Sequence, residues 1–164
     1  MDRAGTRRLD ARFPGRLLVS GVLAWALLAC GGSEDGDAGA SDSPASFDAA
    51  RQAPILEPSI SGAYRVALQL EDPEAARDRL HAWRVRIERS SGEPVAPTRL
   101  AFSGGMPQHG HGFQTAPRVT GKLAEGWWRI QGVRFHMAGV WTLRVEFAAA
   151  EGADVAIVEL DVPY

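Results

Sequence analysis

Between Tyr64 and Val162 apolar and polar side chains alternate almost one by one. Tyr64, Val66, Leu68 and Leu70 interleave with Arg65, Ala67 and Gln69. Trp83, Val85 and Ile87 interleave with Arg84, Arg86 and Glu88. Further on, Trp141, Leu143, Val145 and Phe147 alternate with Thr142, Arg144 and Glu146, and Ala156, Val158, Leu160 and Val162 with Ile157, Glu159 and Asp161. A period of two places one face of each strand on a core and the other in water, as in antiparallel sheets. Residues 99–102, 118–123 and 127–133 are weaker strands of the same kind. Turn residues separate them: Ser90-Ser91-Gly92-Glu93-Pro94, Ser103-Gly104-Gly105, Ala124-Glu125-Gly126 and Glu151-Gly152-Ala153. Only residues 71–80 allow a helix-like turn. The pattern predicts an all-β fold, an immunoglobulin-like antiparallel β-sandwich of about seven strands. Trp83, Trp141 and Phe147 are then core rings. Trp127 and Trp128 are neighbours on one strand, so they point to opposite faces, one inside and one exposed or lying over a loop.

The alternation is absent before residue 58, and two other compositions replace it. Arg3, Arg7, Arg8, Arg12 and Arg16 form a basic leader, followed by an apolar run over residues 17–29 that is short for a membrane span. Residues 1–29 are read as a signal peptide. The run ends Leu27-Leu28-Ala29-Cys30-Gly31, a pattern that resembles the lipobox of bacterial lipoproteins, which implies cleavage before Cys30 and a lipid on its thiol. Cys30 is the only cysteine, so no disulfide forms within the chain. From Gly31 to Glu57 the chain is mostly Gly, Ala, Ser, Asp and Pro, too poor in apolar surface to offset its ordering entropy. Residues 30–57 are read as a disordered acidic tether and residues 58–164 as the folded domain.

Charge sharpens this division. The formal net charge is −2, and the tether supplies the excess through Glu34, Asp35, Asp37, Asp42, Asp48 and Glu57. The domain itself is neutral and carries no basic patch that would point to nucleic acid. Catalytic patterns are missing too. Ser103-Gly104-Gly105 lacks the glycine before serine of a nucleophile elbow, and no glycine-rich loop opens a helix to cradle phosphate. Glu159 and Asp161 share a strand face at the end of the chain and read as solvated charges. The chain is therefore expected not to be an enzyme.

The remaining chemistry is concentrated. Met106-Pro107-Gln108-His109-Gly110-His111-Gly112 and Phe135-His136-Met137 hold three of the four histidines and two of the three methionines. Imidazole and thioether together suit copper, Met favouring Cu(I) and His accepting either oxidation state. Zinc is the alternative at three histidines, less well matched by thioethers. If residues 108–112 are extended, His109 and His111 share a side about 6–7 Å apart at Cα, with Met106 turning in across Pro107. The strands 118–123 and 127–133 form an up-and-down pair, which returns His136 to the end of the sandwich that carries the first loop. The metal candidates are thus His109, His111, His136, Met106 and Met137. His81, at a strand start beside Leu80, is read as structural. The competing reading of the others is structural as well: loop histidines that pin a glycine-rich turn, with the methionines as packing.

The Met-Pro-x-His-Gly-His-Gly loop, the strand beginning Pro117-Arg118-Val119-Thr120, and Gly132-Val133-Arg134-Phe135-His136-Met137-Ala138-Gly139-Val140-Trp141-Thr142-Leu143 together resemble the YtkA-like domain. That domain is a small periplasmic or surface β-sandwich, related in outline to FixH-type proteins. The resemblance extends over about residues 64–147. It implies a lipoprotein of the cell envelope, on the periplasmic or outer-membrane face, concerned with copper handling and delivery to an oxidase or exporter. It leaves open a metal-free auxiliary module that contacts a membrane-protein partner through the same loop.

Overall fold

The computed structural model describes residues 43–72 and 74–164. Their elements run β1 (Ala45–Ser46), α1 (Phe47–Gln52), β2 (Ile55–Pro58), β3 (Tyr64–Leu70), β4 (His81–Arg89), β5 (Pro94–Val95), β6 (Arg99–Met106), β7 (His111–Gly112), β8 (Arg118–Lys122), β9 (Trp128–Val133), β10 (Gly139–Ala149) and β11 (Gly152–Val162). One sheet has the order β1-β11-β10-β6-β7; the other is β2-β3-β4-β9-β8, with β5 on the flank of β4. All pairings are antiparallel except β1 with β11. The molecule is a β-sandwich, as the alternation predicts.

The predicted inward residues are the buried ones. Val66, Leu68, Trp83, Val85, Ile87, Trp141, Leu143, Val145, Ala156, Val158 and Leu160 have no exposed surface, and Phe147 almost none. Both sheets contribute to one cluster, so the core is the space between them. The seven strands legible in the pattern are β3, β4, β6, β8, β9, β10 and β11. The other four have two to four residues each, too short for alternation to register.

Three expectations change. The first concerns residues 45–57, assigned from composition to a disordered tether. Ser46 caps α1 by accepting a hydrogen bond from the Asp48 backbone N–H at 3.2 Å, and Arg51 pairs with Asp48 one turn on. Phe47 and Ala50, both fully buried, close one end of the core. β1 borrows backbone partners from β11, and β2 from β3. Two buried side chains and borrowed hydrogen bonds order a segment whose overall composition is polar. The folded unit therefore includes Ala45. The signal peptide, Cys30 and the tether up to residue 42 lie outside the described residues.

The second change concerns the segment 71–80, whose described residues, 71–72 and 74–80, form bends and turns rather than a helical turn; α1 is the one α-helix among the described residues. The third is Ser103-Gly104-Gly105, which is not a turn. β6 runs through it to Met106. The glycines answer to proximity: a Cβ at Gly104 would stand 2.8 Å from the Phe113 ring, and one at Gly105 would stand 2.6 Å from the His111 carbonyl oxygen.

Candidate metal centre

The glycines at the end of β6 let β7 fold closely back on it. After Met106 the chain makes one 3-10 turn, Pro107–His109, with the proline at a position where its missing N–H costs nothing. Gly110 follows in the left-handed region, φ 68°, and its N–H closes the turn on the Pro107 carbonyl at 3.1 Å. β7 then pairs Gly112 with Gly105 and His111 with Met106. Cross-strand partners lie on one face of a sheet, so His111 stands beside the Met106 thioether. Met106 is almost completely buried and His111 half-buried. His109 does not share an extended segment with His111, contrary to the expectation for residues 108–112. It sits on the turn, exposed, with its ring stacked toward His111 at a centroid distance of 5.8 Å.

The second segment reaches the same place from β9. Phe135 is fully buried and anchors the connection to β10. The Trp141 indole N–H donates to the Met137 carbonyl at 3.1 Å, fixing the backbone between them. Gly139 has φ 112° and lies against Met106, whose Cε is 3.1 Å from where a Cβ would be. His136 is thereby delivered to His111, ring centres 4.9 Å apart. Trp141 forms the floor beneath both imidazoles, 5.3 Å from His136 and 6.2 Å from His111, with Phe113 stacked on it at 5.2 Å. Met137 packs at the margin of the core.

The His111 and His136 Nδ1 atoms are both buried without a hydrogen-bond partner. A buried ring nitrogen left unpaired costs free energy; the Nε2 of His81 is in the same position, and what sets His111 and His136 apart is that their rings adjoin. Burial lowers the pKa of His136, the neighbouring His111 and Arg134 lower it further, and Asp78 opposes them. His136 therefore favours neutral imidazole, the form that coordinates metal. Ring centres 4.9 Å apart allow two nitrogens to reach one ion at about 2 Å. A soft cation would find two imidazoles and the Met106 sulfur here. No group of three or more His, Cys, Asp or Glu side chains that could hold a metal exists among the described residues. The five candidates thus sort themselves: the His111 and His136 rings adjoin, Met106 is the cross-strand partner of His111, Met137 packs against the core, and His109 stands on the turn beyond His111.

Other assignments resolve around this centre. Trp127 and Trp128 do face opposite ways. Trp128 packs on the core, while Trp127 is buried on the outer face between the guanidinium groups of Arg84 and Arg86, at 4.8 and 4.7 Å. The rings beside His111 and His136 are Trp141 and, stacked on it, Phe113. Sequence reasoning assigned Trp141 to the core alone. Its place five residues after His136, starting a strand, was the available signal. His81 begins β4, buried, with its Nδ1 accepting the Trp83 indole N–H at 3.1 Å. Burial pushes its pKa down to about 4, against a smaller opposing effect of Asp72. It is neutral at pH 7 with its proton on Nε2, a donor and not a ligand.

A family model described as YtkA-like matches residues 59–146, just over half of the chain, and that span includes all five candidate ligands. No curated protein and no solved structure matches the chain.

Proposed function

The chain belongs to the YtkA-like family, and from that premise we propose that it is a copper-handling module of the cell envelope, with the ion as its cargo. The observation that carries this reading is the pair of buried, unpartnered Nδ1 atoms on His111 and His136, 4.9 Å apart between ring centres and beside the Met106 thioether. Mixed imidazole and thioether donors suit Cu(I) better than zinc or a hard cation. A half-buried centre next to an exposed turn suits a carrier, which must release what it holds. The leader and Leu27-Leu28-Ala29-Cys30 pattern support a lipid anchor on Cys30 that keeps the domain at a membrane, near an oxidase under assembly or a metal exporter. Catalysis has no place in this reading.

The test is a Cu(I) titration of the full chain carrying Cys30→Ser, which removes the one competing thiol, against a colorimetric chelator. The chain should retain one equivalent, and His111→Ala or His136→Ala should weaken retention about 100-fold. Equal retention by parent and variants would exclude this centre. A second reading has its own support. The indole bond to the Met137 carbonyl, the tight β6–β7 hairpin and the lack of a group of three His, Cys, Asp or Glu ligands among the described residues also describe a rigid contact surface for a membrane-protein partner. Partner capture from metal-stripped extract, lost on substitution in the loop, would favour it.

A further inference from the structure

The three imidazoles do not surround a point; they form a file. His136 and His111 are half-buried with ring centres 4.9 Å apart, and His109 is exposed, its ring 5.8 Å beyond His111 and nearly parallel to it. Only the inner two carry a buried, unpartnered nitrogen. The turn that holds His109 is one 3-10 turn closed by a single backbone hydrogen bond, and the space where a Gly110 Cβ would stand is open, with no atom within 4 Å. An open depression of about 430 Å³ begins there, lined in part by Pro107, Gly110, His111, Gly105 and Thr142.

From this gradient we propose that His109 is a transfer ligand: His111, His136 and Met106 hold the ion at rest, and His109 takes it outward to an acceptor. This rests on the copper-handling reading. The step is a ligand exchange with no change of oxidation state. A nitrogen lone pair of His109 forms a bond to the ion while His111 still holds it, and the inner bonds from His136 and the Met106 sulfur then break. The ion, now shared by His109 and His111 at the rim, is exposed to an acceptor that presents its own imidazole, thioether or thiolate groups. The acceptor repeats the exchange and leaves all three imidazoles free of the ion. A resident third ligand would have to close on the same ion as the other two. A bystander would have no influence on rate.

The two alternatives separate in one pair of measurements on the full chain with Cys30→Ser, loaded with Cu(I). Equilibrium competition with a colorimetric chelator gives affinity, and stopped-flow transfer to excess chelator gives rate. His109→Ala should bind as tightly as the parent but release about tenfold more slowly. His109→Met, which restores a soft donor, should recover the rate, and His109→Gln should not. His111→Ala should lose affinity itself. An affinity loss in His109→Ala equal to that of His111→Ala would make it a resident ligand and overturn the proposal. An unchanged transfer rate would overturn it as well. Failure of the parent chain to hold copper at all would instead remove the copper reading and this one with it.

Discussion

His81 shows how one residue couples the fold to pH. Its folded pKa is lowered from 6.5 to about 4 by burial. The unfolded chain therefore takes up a proton as pH falls below about 6.5 while the folded chain does not, and stability declines until His81 protonates in place near pH 4. A shift of that size corresponds to about 3 kcal/mol at full extent. His136, also lowered, acts in the same direction. His81→Gln keeps an acceptor for the Trp83 indole N–H but cannot titrate. Urea unfolding between pH 7 and 4 should show a shallower loss of stability in His81→Gln than in the parent chain; parallel profiles would mean that His81 is not the source. At this same scale the candidate ligands stood out, because His and Met are scarce in this chain and gathered in two segments. The grouping among them was not. That His111 meets Met106, and that His109 does not join them, follows from a hairpin whose turn covers three residues, and no side-chain pattern encodes it.

Elements explain where pattern reading succeeded and where it failed. Long strands with one wet face announce themselves, so β3, β4, β10 and β11 were all visible, β3 to the residue and the other three with their ends cut short. Strands of two residues carry no period, and α1 was hidden in an acidic, small-residue stretch because only Phe47 and Ala50 face inward. Phe47 makes edge contacts with His81, Trp83 and Phe135, so α1 caps the end of the core that carries Phe135 and the candidate site. Phe47→Ala should cost about 3–5 kcal/mol in chemical denaturation; an effect near zero would return residues 45–57 to the tether. The glycines of β6 were visible but misread as a turn, since sequence does not distinguish a glycine needed for φ from one needed for close approach. Gly105→Ala pushes a methyl group toward the His111 carbonyl oxygen. It should destabilise the fold by about 1–3 kcal/mol through overpacking, and should weaken Cu(I) retention in competition titrations by displacing β7 from Met106. Unaltered retention would separate the hairpin geometry from the site.

At the scale of the whole molecule the fold serves as a clamp on two loops. Sheet register brings β6–β7 and the β9–β10 connection to one end, and Phe135 and Trp141 join them through the core, ring centres 5.1 Å apart. The convergence expected from counting strands is met at His111 and His136. The proposed membrane location rests on the first thirty residues and not on the sandwich. Cys30→Ala should move the chain from the membrane to the soluble fraction on cell fractionation, whereas continued sedimentation with membranes would argue against a lipid anchor. The central claim is that two imidazoles and a thioether share one ion. X-ray absorption at the copper edge of the Cu(I)-loaded chain with Cys30→Ser tests it most directly. The claim predicts two nitrogen scatterers near 2 Å with imidazole multiple scattering and one sulfur scatterer that disappears in Met106→Leu. A spectrum with only oxygen or nitrogen neighbours, unchanged in Met106→Leu and His136→Ala, would contradict it.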